Sequence, residues 1–299
     1  MWTAVSLWLV IGAGVVAFGI GAANAVRAGA NPWPWIGAIP GLYLGLILVF
    51  TLAYFALAWV RRAARPAYAR LDARRAWRLF RREFLAIAGS APRMMSYRAT
   101  ARDPKPMPAR DPVLLLHGVL CNAGVWRKMK RRLAKAGIGP LYAPSYGPPL
   151  ASIEVFADQI AATVDRILAA TGARQVSIVA HSMGGLVARA YVRKHGGEKV
   201  KRVITIGTPH AGSVHAWLFP GTSLAQLRPG NAWLETLPEP GLGAVPEFVS
   251  VWSWHDSMIA PQTSARLQHG RNVEVVGVGH NAMLIDPEVA QRVIEELKR

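Results

Sequence analysis

The sequence predicts an α/β fold, with a mainly parallel sheet of six strands, preceded by an all-α transmembrane hairpin. Two long apolar segments occupy the first sixty residues, a cluster of arginines follows them, and short β-branched runs alternate with helical patterns from about residue 112 onward. Alternating strands and helices require crossover connections, which give a parallel sheet covered on both faces. The apolar segments and the arginines predict a unit attached to lipid.

The two apolar segments are long enough to cross a membrane. Neither residues 4–26 nor residues 35–60 contain a charged side chain. At about 1.5 Å per residue, the first makes a helix of roughly 35 Å, against a hydrocarbon core of about 30 Å. Pro40 predicts a kink near one end of the second. A cleaved secretory signal is the alternative, but the segment starts Met-Trp-Thr without a basic region. We predict a two-span hairpin over residues 1–62.

Small residues recur at four-residue spacing in both apolar segments. Such stripes let two helices pack backbone to backbone in lipid. They predict packing within the hairpin, and a homodimer through the same face is the alternative to a monomer. The residues concerned are Ala13, Ala17 and Gly21 in the first segment and Gly37, Gly41 and Gly45 in the second.

Positive charge is concentrated beside the hairpin. The net charge is +18, and residues 1–110 carry 15 Lys and Arg against 3 Asp and Glu, with nine arginines within residues 61–82. Lys and Arg beside a span mark its cytoplasmic side. We therefore predict an inner-membrane protein with both termini and the rest of the chain after the hairpin in the cytoplasm, and we predict no nucleic-acid binding.

Residues 63–111 are predicted to form a basic amphipathic helix and a linker. Apolar residues follow helical spacing over residues 66–87, and arginines cover the other side. The helix lies either on an anionic lipid surface or against the globular domain. Residues 88–111 are predicted to be a connector. The apolar stripe consists of Ala73, Ala76, Trp77, Phe80, Phe84 and Ile87.

Residues 112–299 are predicted to form one compact domain. The single cysteine, Cys121, excludes an intramolecular disulfide. An irregular insert over residues 211–246 is rich in Trp, Phe and Leu and is predicted to be either a mobile lid or a packed cap. The predicted elements are strand 113–116, helix 124–136, strand 140–143, helix 152–169, strand 175–179, helix 184–195, strand 202–206, strand 248–252, strand 273–277 and helix 287–298.

A serine between small residues stands at the end of one predicted strand. Residues 175–185 read Gln-Val-Ser-Ile-Val-Ala-His-Ser-Met-Gly-Gly. A nucleophilic serine exposed at the top of a sheet occupies a strained strand-to-helix turn, which requires small neighbours. Ala180 and Gly184 flank Ser182 at two positions on either side, although glycine is usual at the first position. Ser182 is therefore the predicted nucleophile.

A serine nucleophile requires a base, and the base requires an acid that orients it. In this architecture the chain order is serine, acid, histidine. His280 follows a predicted strand late in the chain, and Asp256 follows the preceding strand. Asp286 comes after His280 and precedes Pro287, so it is predicted to be a helix N-cap.

Two backbone N–H groups are predicted to form the oxyanion hole. One belongs to Met183, at the start of a helix, and the other to Val119, in the loop after the first strand of the domain. His117 is predicted to shape that loop. The predicted substrate-binding residues are His117, Trp217, Phe219 and Leu224, while His210 and His215 are predicted to be structural.

These motifs resemble those of the bacterial triacylglycerol lipases and esterases of the α/β-hydrolase fold. The resemblance covers about residues 112–299 and rests on His117-Gly118, the elbow at residues 180–184, Ile206-Gly207-Thr208-Pro209-His210, the Asp256 loop and Gly279-His280. The elbow that starts with Ala is similar to that of the small minimal lipases, whereas Gly-Thr-Pro-His resembles the larger ones. The family's calcium site is not recognisable, so no metal and no cofactor is predicted.

The resemblance implies a membrane-anchored serine ester hydrolase acting on lipid or other apolar esters through an acyl-enzyme. An acyltransferase or thioesterase would use the same residues. A non-catalytic membrane scaffold on a hydrolase fold is the alternative from a different class. The predicted partners are an apolar ester substrate and an anionic lipid surface.

Overall fold

The computed structural model describes residues 2–237 and 246–299, and it begins with two long helices. Helix α1 spans Trp2–Arg27 and helix α2 spans Trp33–Val60. Both are long and apolar enough to cross a membrane, with a mean hydropathy of 2.1 in each. The ring of Phe18 lies 6.4 Å from that of Trp35, so the helices pack as an antiparallel pair. Pro40 lies inside α2.

The two predicted small-residue stripes differ in their surroundings. A methyl group on Gly21 would lie 2.3 Å from the ring of Trp35, so Gly21 does allow close packing in the hairpin. Among the described residues, a methyl group on Gly37, Gly41 or Gly45 would meet no atom within 4 Å. The stripe in α2 therefore does not form the contact with α1, in which Trp35 packs against Gly21.

Three helices connect the hairpin to the sheet. Helix α3 spans Ala73–Ala88, α4 spans Ser90–Met95 and α5 spans Arg98–Ala101, so the predicted connector over 88–111 contains two short helices. Asp72 begins α3, because its side chain accepts a hydrogen bond from Arg75 N. The most buried face of α3 carries Leu79, Glu83 and Ala86. The predicted apolar stripe lies only partly on this face, since Ala73, Ala76 and Trp77 are exposed.

The sheet has six strands, all parallel, in the order β2-β1-β3-β4-β5-β6. This confirms the predicted fold class. Each strand lies within three residues of its predicted range. The apolar residues of the first five strands are buried, whereas the sixth strand, at one edge of the sheet, is partly exposed. The strands are β1 Val113–Leu116, β2 Leu141–Tyr142, β3 Val176–His181, β4 Val200–Ile206, β5 Glu247–Ser253 and β6 Arg271–Val275.

Helices cover both faces of the sheet. Alternate side chains of β1 point to opposite faces, so Leu114 and Leu116 join one core cluster and Val113 and Leu115 the other. Helices α7 and α8 supply the first cluster, and α6 and α11 the second. The bounds are α6 Arg127–Lys135, α7 Ile153–Thr171, α8 Met183–His195, α9 Thr222–Gln226, α10 Ala232–Glu235 and α11 Pro287–Lys298.

The insert between β4 and β5 contains α9 and α10, and its residues 238–245 lie outside the described part of the chain. Its described apolar residues fall into two groups. Leu224, Leu227, Leu234 and Leu237 are buried in the first core cluster. Trp217, Leu218 and Phe219 are exposed, and the guanidinium of Arg228 lies 4.4 Å from the Trp217 ring centre. The buried group indicates that part of the insert is packed against the sheet domain. The exposed group gives the insert an apolar outer edge.

The hairpin and the sheet domain touch directly. The Tyr54 ring stacks on His215 at 4.9 Å, and the Tyr54 carbonyl lies 3.2 Å from His215 Nε2. The hairpin also contacts α3, because the Tyr43 hydroxyl donates to the carbonyl of Ala88 at 2.6 Å. The Thr3 hydroxyl donates to the carbonyl of Cys121 at 3.3 Å. The last turns of α2 thus lie beside the insert.

Candidate active site

Ser182 occupies a strained turn between β3 and α8. Its φ of 55° and ψ of −129° lie in a region that residues other than glycine rarely adopt. Two hydrogen bonds hold this conformation: Ser182 N donates to the carbonyl of Ile206 at 2.9 Å, and the Thr208 hydroxyl donates to the carbonyl of Ser182 at 2.8 Å. The turn therefore has the backbone geometry that the sequence pattern predicts for a nucleophile elbow.

The small residue after Ser182 is required by close backbone contact. A methyl group on Gly184 would lie 2.6 Å from the carbonyl oxygen of Leu116 and 2.7 Å from that of His117. Real Cβ atoms essentially never approach a backbone oxygen so closely. Gly184 thus lets α8 start directly against the end of β1. Ala180, the departure from the usual glycine, is buried within β3.

Asp256 and His280 form a buried pair. His280 Nδ1 lies 2.8 Å from Asp256 Oδ2, and both side chains are almost fully buried. The other carboxylate oxygen of Asp256 accepts from the backbone N–H groups of Met258 and Ile259, at 2.8 Å each. Asp256 is thereby fixed as an acceptor for the Nδ1–H of His280. In this tautomer the Nε2 of His280 is free to accept a proton.

The pair lies next to the end of β4, whose last carbonyl also accepts a hydrogen bond from Ser182 N. Gly207, with a φ of +56°, follows Ile206, whose carbonyl binds Ser182 N. A methyl group on Gly207 would lie 3.0 Å from Asp256 Oδ2 and 3.2 Å from His280 Nδ1. The His181 ring lies 4.6 Å from that of His280, and its Nε2 lies 3.2 Å from the His280 carbonyl oxygen. Ser182, Asp256 and His280 therefore surround the end of β4.

The surroundings of His280 favour its protonated form. Burial lowers the pKa of the imidazole, but the charge of Asp256, the hydrogen bond to Asp256 and the charge of Glu83 raise it, and the net shift is upward from 6.5. His181 differs, because burial and the neighbouring His280 hold its pKa well below the usual range. Of these two adjacent rings, His280 is thus the one suited to take up a proton.

The two predicted oxyanion donors, Met183 and Val119, belong to segments that adjoin Ser182. Met183 begins α8, and the N–H of a first helical residue has no partner within its helix. Val119 follows Gly118, on which a methyl group would lie 2.9 Å from Ser182 Cβ. The loop after β1 is thus in contact with Ser182. Binding of a developing negative charge by these two N–H groups stays a prediction.

The predicted substrate-binding residues occupy different surroundings. His117 is buried, and its Nδ1 lies 2.9 Å from the carbonyl oxygen of Gly118. Its ring stacks on Tyr146 at 4.0 Å, and the Tyr146 hydroxyl donates to the His117 carbonyl. Burial lowers the pKa of His117 to about 4. Trp217 and Phe219 lie on the exposed edge of the insert, whereas Leu224 lies in the core.

Three further residues outside the candidate triad have structural contacts. His210 Nε2 lies 3.0 Å from the Thr205 hydroxyl. His215 stacks on Tyr54 of α2. Asp286 accepts hydrogen bonds from the N–H groups of residues 288 and 289, which confirms it as the N-cap of α11.

Sequence reasoning missed one residue of the site, Glu83. Its carboxylate, carried by α3, accepts hydrogen bonds from the loop that follows His280. A signal was available in the sequence, because Glu83 is the one acidic residue among the arginines of α3. It falls on the same helical face as Leu79 and Ile87, four residues away on either side.

A cavity of about 830 Å³ lies between the Asp256 loop, the end of α2 and α3. It is lined by Asp256 and His255, by aromatic residues at the end of α2 and in α3, and by Arg62, Arg65 and Arg70. Burial and the charge of Arg62 lower the pKa of Arg65. The cavity thus combines an apolar wall with crowded positive charge.

The chain is similar to known lipases. Residues 111–235 match the family model of the α/β-hydrolase fold. Over 59 residues, 20% of this chain, the sequence is 49% identical to a triacylglycerol lipase of Pseudarthrobacter phenanthrenivorans and to one of Burkholderia plantarii. The match spans only 18% and 16% of the length of these two relatives.

Two solved structures share the fold. Lipase B of Aspergillus fumigatus aligns with a TM-score of 0.59 at 19% identity, covering 69% of this chain and 57% of that chain. The mature lipase BlEst2 of Bacillus licheniformis aligns with a TM-score of 0.54 at 19% identity, covering 65% of this chain and 95% of that chain. Residues 111–235 therefore match the α/β-hydrolase family model, and the chain shares its fold with these two structures.

Proposed function

We propose that this protein is a membrane-anchored serine hydrolase that cleaves carboxylic esters of lipids or other apolar molecules. The observation that carries the proposal is the buried Asp256–His280 pair beside the strained Ser182 turn. The similarity to triacylglycerol lipases supports the ester as the substrate class.

The proposed reaction has two steps. Ser182 Oγ attacks the ester carbonyl carbon while His280 Nε2 takes the hydroxyl proton, and the N–H groups of Val119 and Met183 bind the oxyanion. The carbon–oxygen bond to the alcohol breaks, and His280 returns its proton to the departing alcohol. A water molecule then attacks the acyl-enzyme, with His280 again acting as base. The acid leaves and Ser182 regains its proton.

The hairpin supports anchoring in the inner membrane. Most large apolar side chains of α1 and α2, among them Leu9, Val16 and Val49, are exposed. Such surfaces are stable in lipid, where neighbouring chains are equally apolar. The arginines at the end of α2 support a catalytic domain on the cytoplasmic side. A reporter fused after Arg299 tests this orientation, and activity of a periplasm-specific reporter at this position would contradict it.

The arginines also support contact with anionic lipid. Those of α3, including Arg74, Arg78 and Arg81, are exposed and lie near the exposed ring of Trp77. Positively charged side chains beside an aromatic residue are typical of segments that lie on anionic bilayers. Three more arginines, Arg62, Arg65 and Arg70, line the cavity between the end of α2 and α3.

Covalent labelling of Ser182 tests the proposed chemistry. The full chain, in detergent or nanodiscs, is treated with a fluorophosphonate probe and assayed with p-nitrophenyl esters. We expect the wild type to be labelled and to cleave the ester, and Ser182→Ala to lose labelling and about 10³-fold or more of the activity, because only the oxyanion donors and binding remain. Ser223→Ala, at another buried serine, is the control.

Two results would contradict the proposal. Ester cleavage that persists in Ser182→Ala would remove Ser182 as the nucleophile. A folded wild type that neither labels nor cleaves esters would favour a non-catalytic scaffold. An alcohol or thiol that outcompetes water for the acyl-enzyme would identify an acyl transfer reaction instead of hydrolysis.

A further inference from the structure

Helix α3 buries a single carboxylate against the candidate active site. Glu83 is fully buried, although the helix that carries it exposes Arg74, Arg75, Arg78, Arg81 and Arg82. Burying a carboxylate costs free energy unless hydrogen bonds replace its water. A leucine at this position would serve packing alone. The placement therefore indicates a role that needs the carboxylate oxygens.

Four donors converge on the Glu83 carboxylate. Oε1 accepts from Asn281 N at 2.9 Å, from Asn281 Nδ2 at 3.0 Å and from the Ser257 hydroxyl at 3.0 Å. Oε2 accepts from Ala282 N at 2.9 Å. A carboxylate accepts at both oxygens, which matches this set of donors.

These donors belong to the two loops that carry the acid and the base. Ser257 directly follows Asp256, and Asn281 directly follows His280. Glu83 also reaches the residue before His280, because a methyl group on Gly279 would lie 2.5 Å from Oε2. One side chain of α3 thus connects the loop of the acid to the loop of the base, next to the residues that form the 2.8 Å contact.

We propose that Glu83 is a positioning residue that aligns the Asp256–His280 pair and couples it to the basic helix next to the membrane hairpin. This inference rests on the proposed ester hydrolase function. Glu83 acts through the loops and by its charge, and it does not itself touch the reacting atoms. The orientation of α3, which also packs against α2, thereby becomes part of the catalytic geometry.

The test compares Glu83→Gln with the wild type, using the full chain in nanodiscs. The amide keeps the shape of the side chain but replaces one acceptor oxygen with an NH2 group. The loop donors that face this group lose their acceptor, so the hydrogen bonds at one of the two positions are lost. We expect kcat to fall about tenfold with KM within about twofold, since a displacement of about 1 Å costs up to about 10²-fold. The fluorophosphonate labelling rate should fall by the same factor as kcat.

The pH profile separates alignment from simple stabilisation. The groups that face His280 are Asp256, Glu83, His181 and His215. Removing the negative charge of Glu83 lowers the pKa of His280, so the acid limb of kcat/KM should move to lower pH in Glu83→Gln. Loss of stability alone would leave the midpoint of the limb unchanged.

Two variants are the matched controls. Glu295→Gln makes the same change at an exposed carboxylate of α11 and should keep both kcat and the acid limb. Leu79→Ala loses packing on the buried face of α3, one turn before Glu83, and should lower the melting temperature without moving the acid limb. If Glu83→Gln does not fold, the double variant Ser257→Ala/Asn281→Ala decides, because it removes two donors and keeps Glu83.

The outcomes distinguish this inference from the proposed function. A wild type that cleaves esters through Ser182, with unchanged kcat and acid limb in Glu83→Gln, would overturn the positioning role alone. An unchanged double variant would do the same where the single variant does not fold. An inactive, unlabelled wild type would instead contradict the proposed function.

Discussion

The two halves of the candidate active site are built in opposite ways. The Ser182 turn is made by consecutive residues, the end of β3 and the start of α8, and is fixed by contacts with the neighbouring strands. The Asp256–His280 pair joins two distant loops, and a third distant residue, Glu83, ties them together. A local turn can form as soon as its strand pairs, whereas the pair depends on the docking of α3.

Replacement of Asp256 should give the largest effect that separates these halves. Asp256→Asn keeps the size of the side chain but no longer fixes the Nδ1–H tautomer of His280, so we expect kcat to fall by about 10⁴-fold. The Ser182 turn stays intact, so oxyanion donors and substrate binding remain. Steady-state kinetics, together with a thermal melt, measures both. A loss of less than tenfold would show that another group orients His280.

Enlarging Gly184 should break the local half instead. Gly184→Ala forces a methyl group against the carbonyl oxygens of Leu116 and His117, and we expect about 1–3 kcal/mol of destabilisation with loss of labelling at Ser182. Gly19→Ala is the control, because a methyl group there meets no atom within 4 Å. Differential scanning fluorimetry compares the two variants. Equal melting temperatures for the two would show that the turn tolerates a side chain at Gly184.

The pH dependence should report the charged surroundings of the pair. His280 must be neutral to take the proton of Ser182, and its pKa is raised above 6.5. Activity should therefore be lost as the pH falls through a midpoint above 6.5, by about tenfold per pH unit on the limb. The labelling rate of Ser182 between pH 5 and 9 measures this midpoint. A midpoint below 6.5 would mean that burial outweighs the charges of Asp256 and Glu83.

Removal of the Thr208 hydroxyl should give the smallest effect. Thr208→Val loses the 2.8 Å hydrogen bond to the Ser182 carbonyl, which is worth about 1 kcal/mol and thus about fivefold in rate if it acts on the reactive conformation. Thr163→Val, which loses a comparable bond within α7, is the control. Equal kcat values for both variants would show that the strand alone holds the turn.

The same contrast explains what the sequence predicts well. The Ser182 turn and the strands have local signals, small residues and apolar runs, and the parallel direction of the strands follows from the crossover connections. His280 and Asp256 follow strands, so their positions along the chain indicate that they meet at one edge. The structure brings them to 2.8 Å, and their catalytic roles remain predictions.

Long-range features lie beyond such signals. Helical spacing of apolar residues does not predict the buried carboxylate of Glu83 in α3. The glycine stripe of α2 predicts a contact with α1, whereas the contact that the structure shows is that of Trp35 with Gly21. The helices α4 and α5 fall in a segment rich in Pro and Arg, where short helices depend on packing against the domain.

The contact between His181 and His280 has a dynamic consequence. His181 precedes Ser182 on β3, and its ring nitrogen is bonded to the backbone of His280 itself. We therefore expect thermal displacements of the strand end and of the His280 loop to be correlated on the fast timescale of side-chain motion. The distance between the two groups that would exchange a proton should fluctuate less than the position of either group. Large atomic displacements at this edge of the sheet would thus be compatible with a well-defined distance between Ser182 and His280.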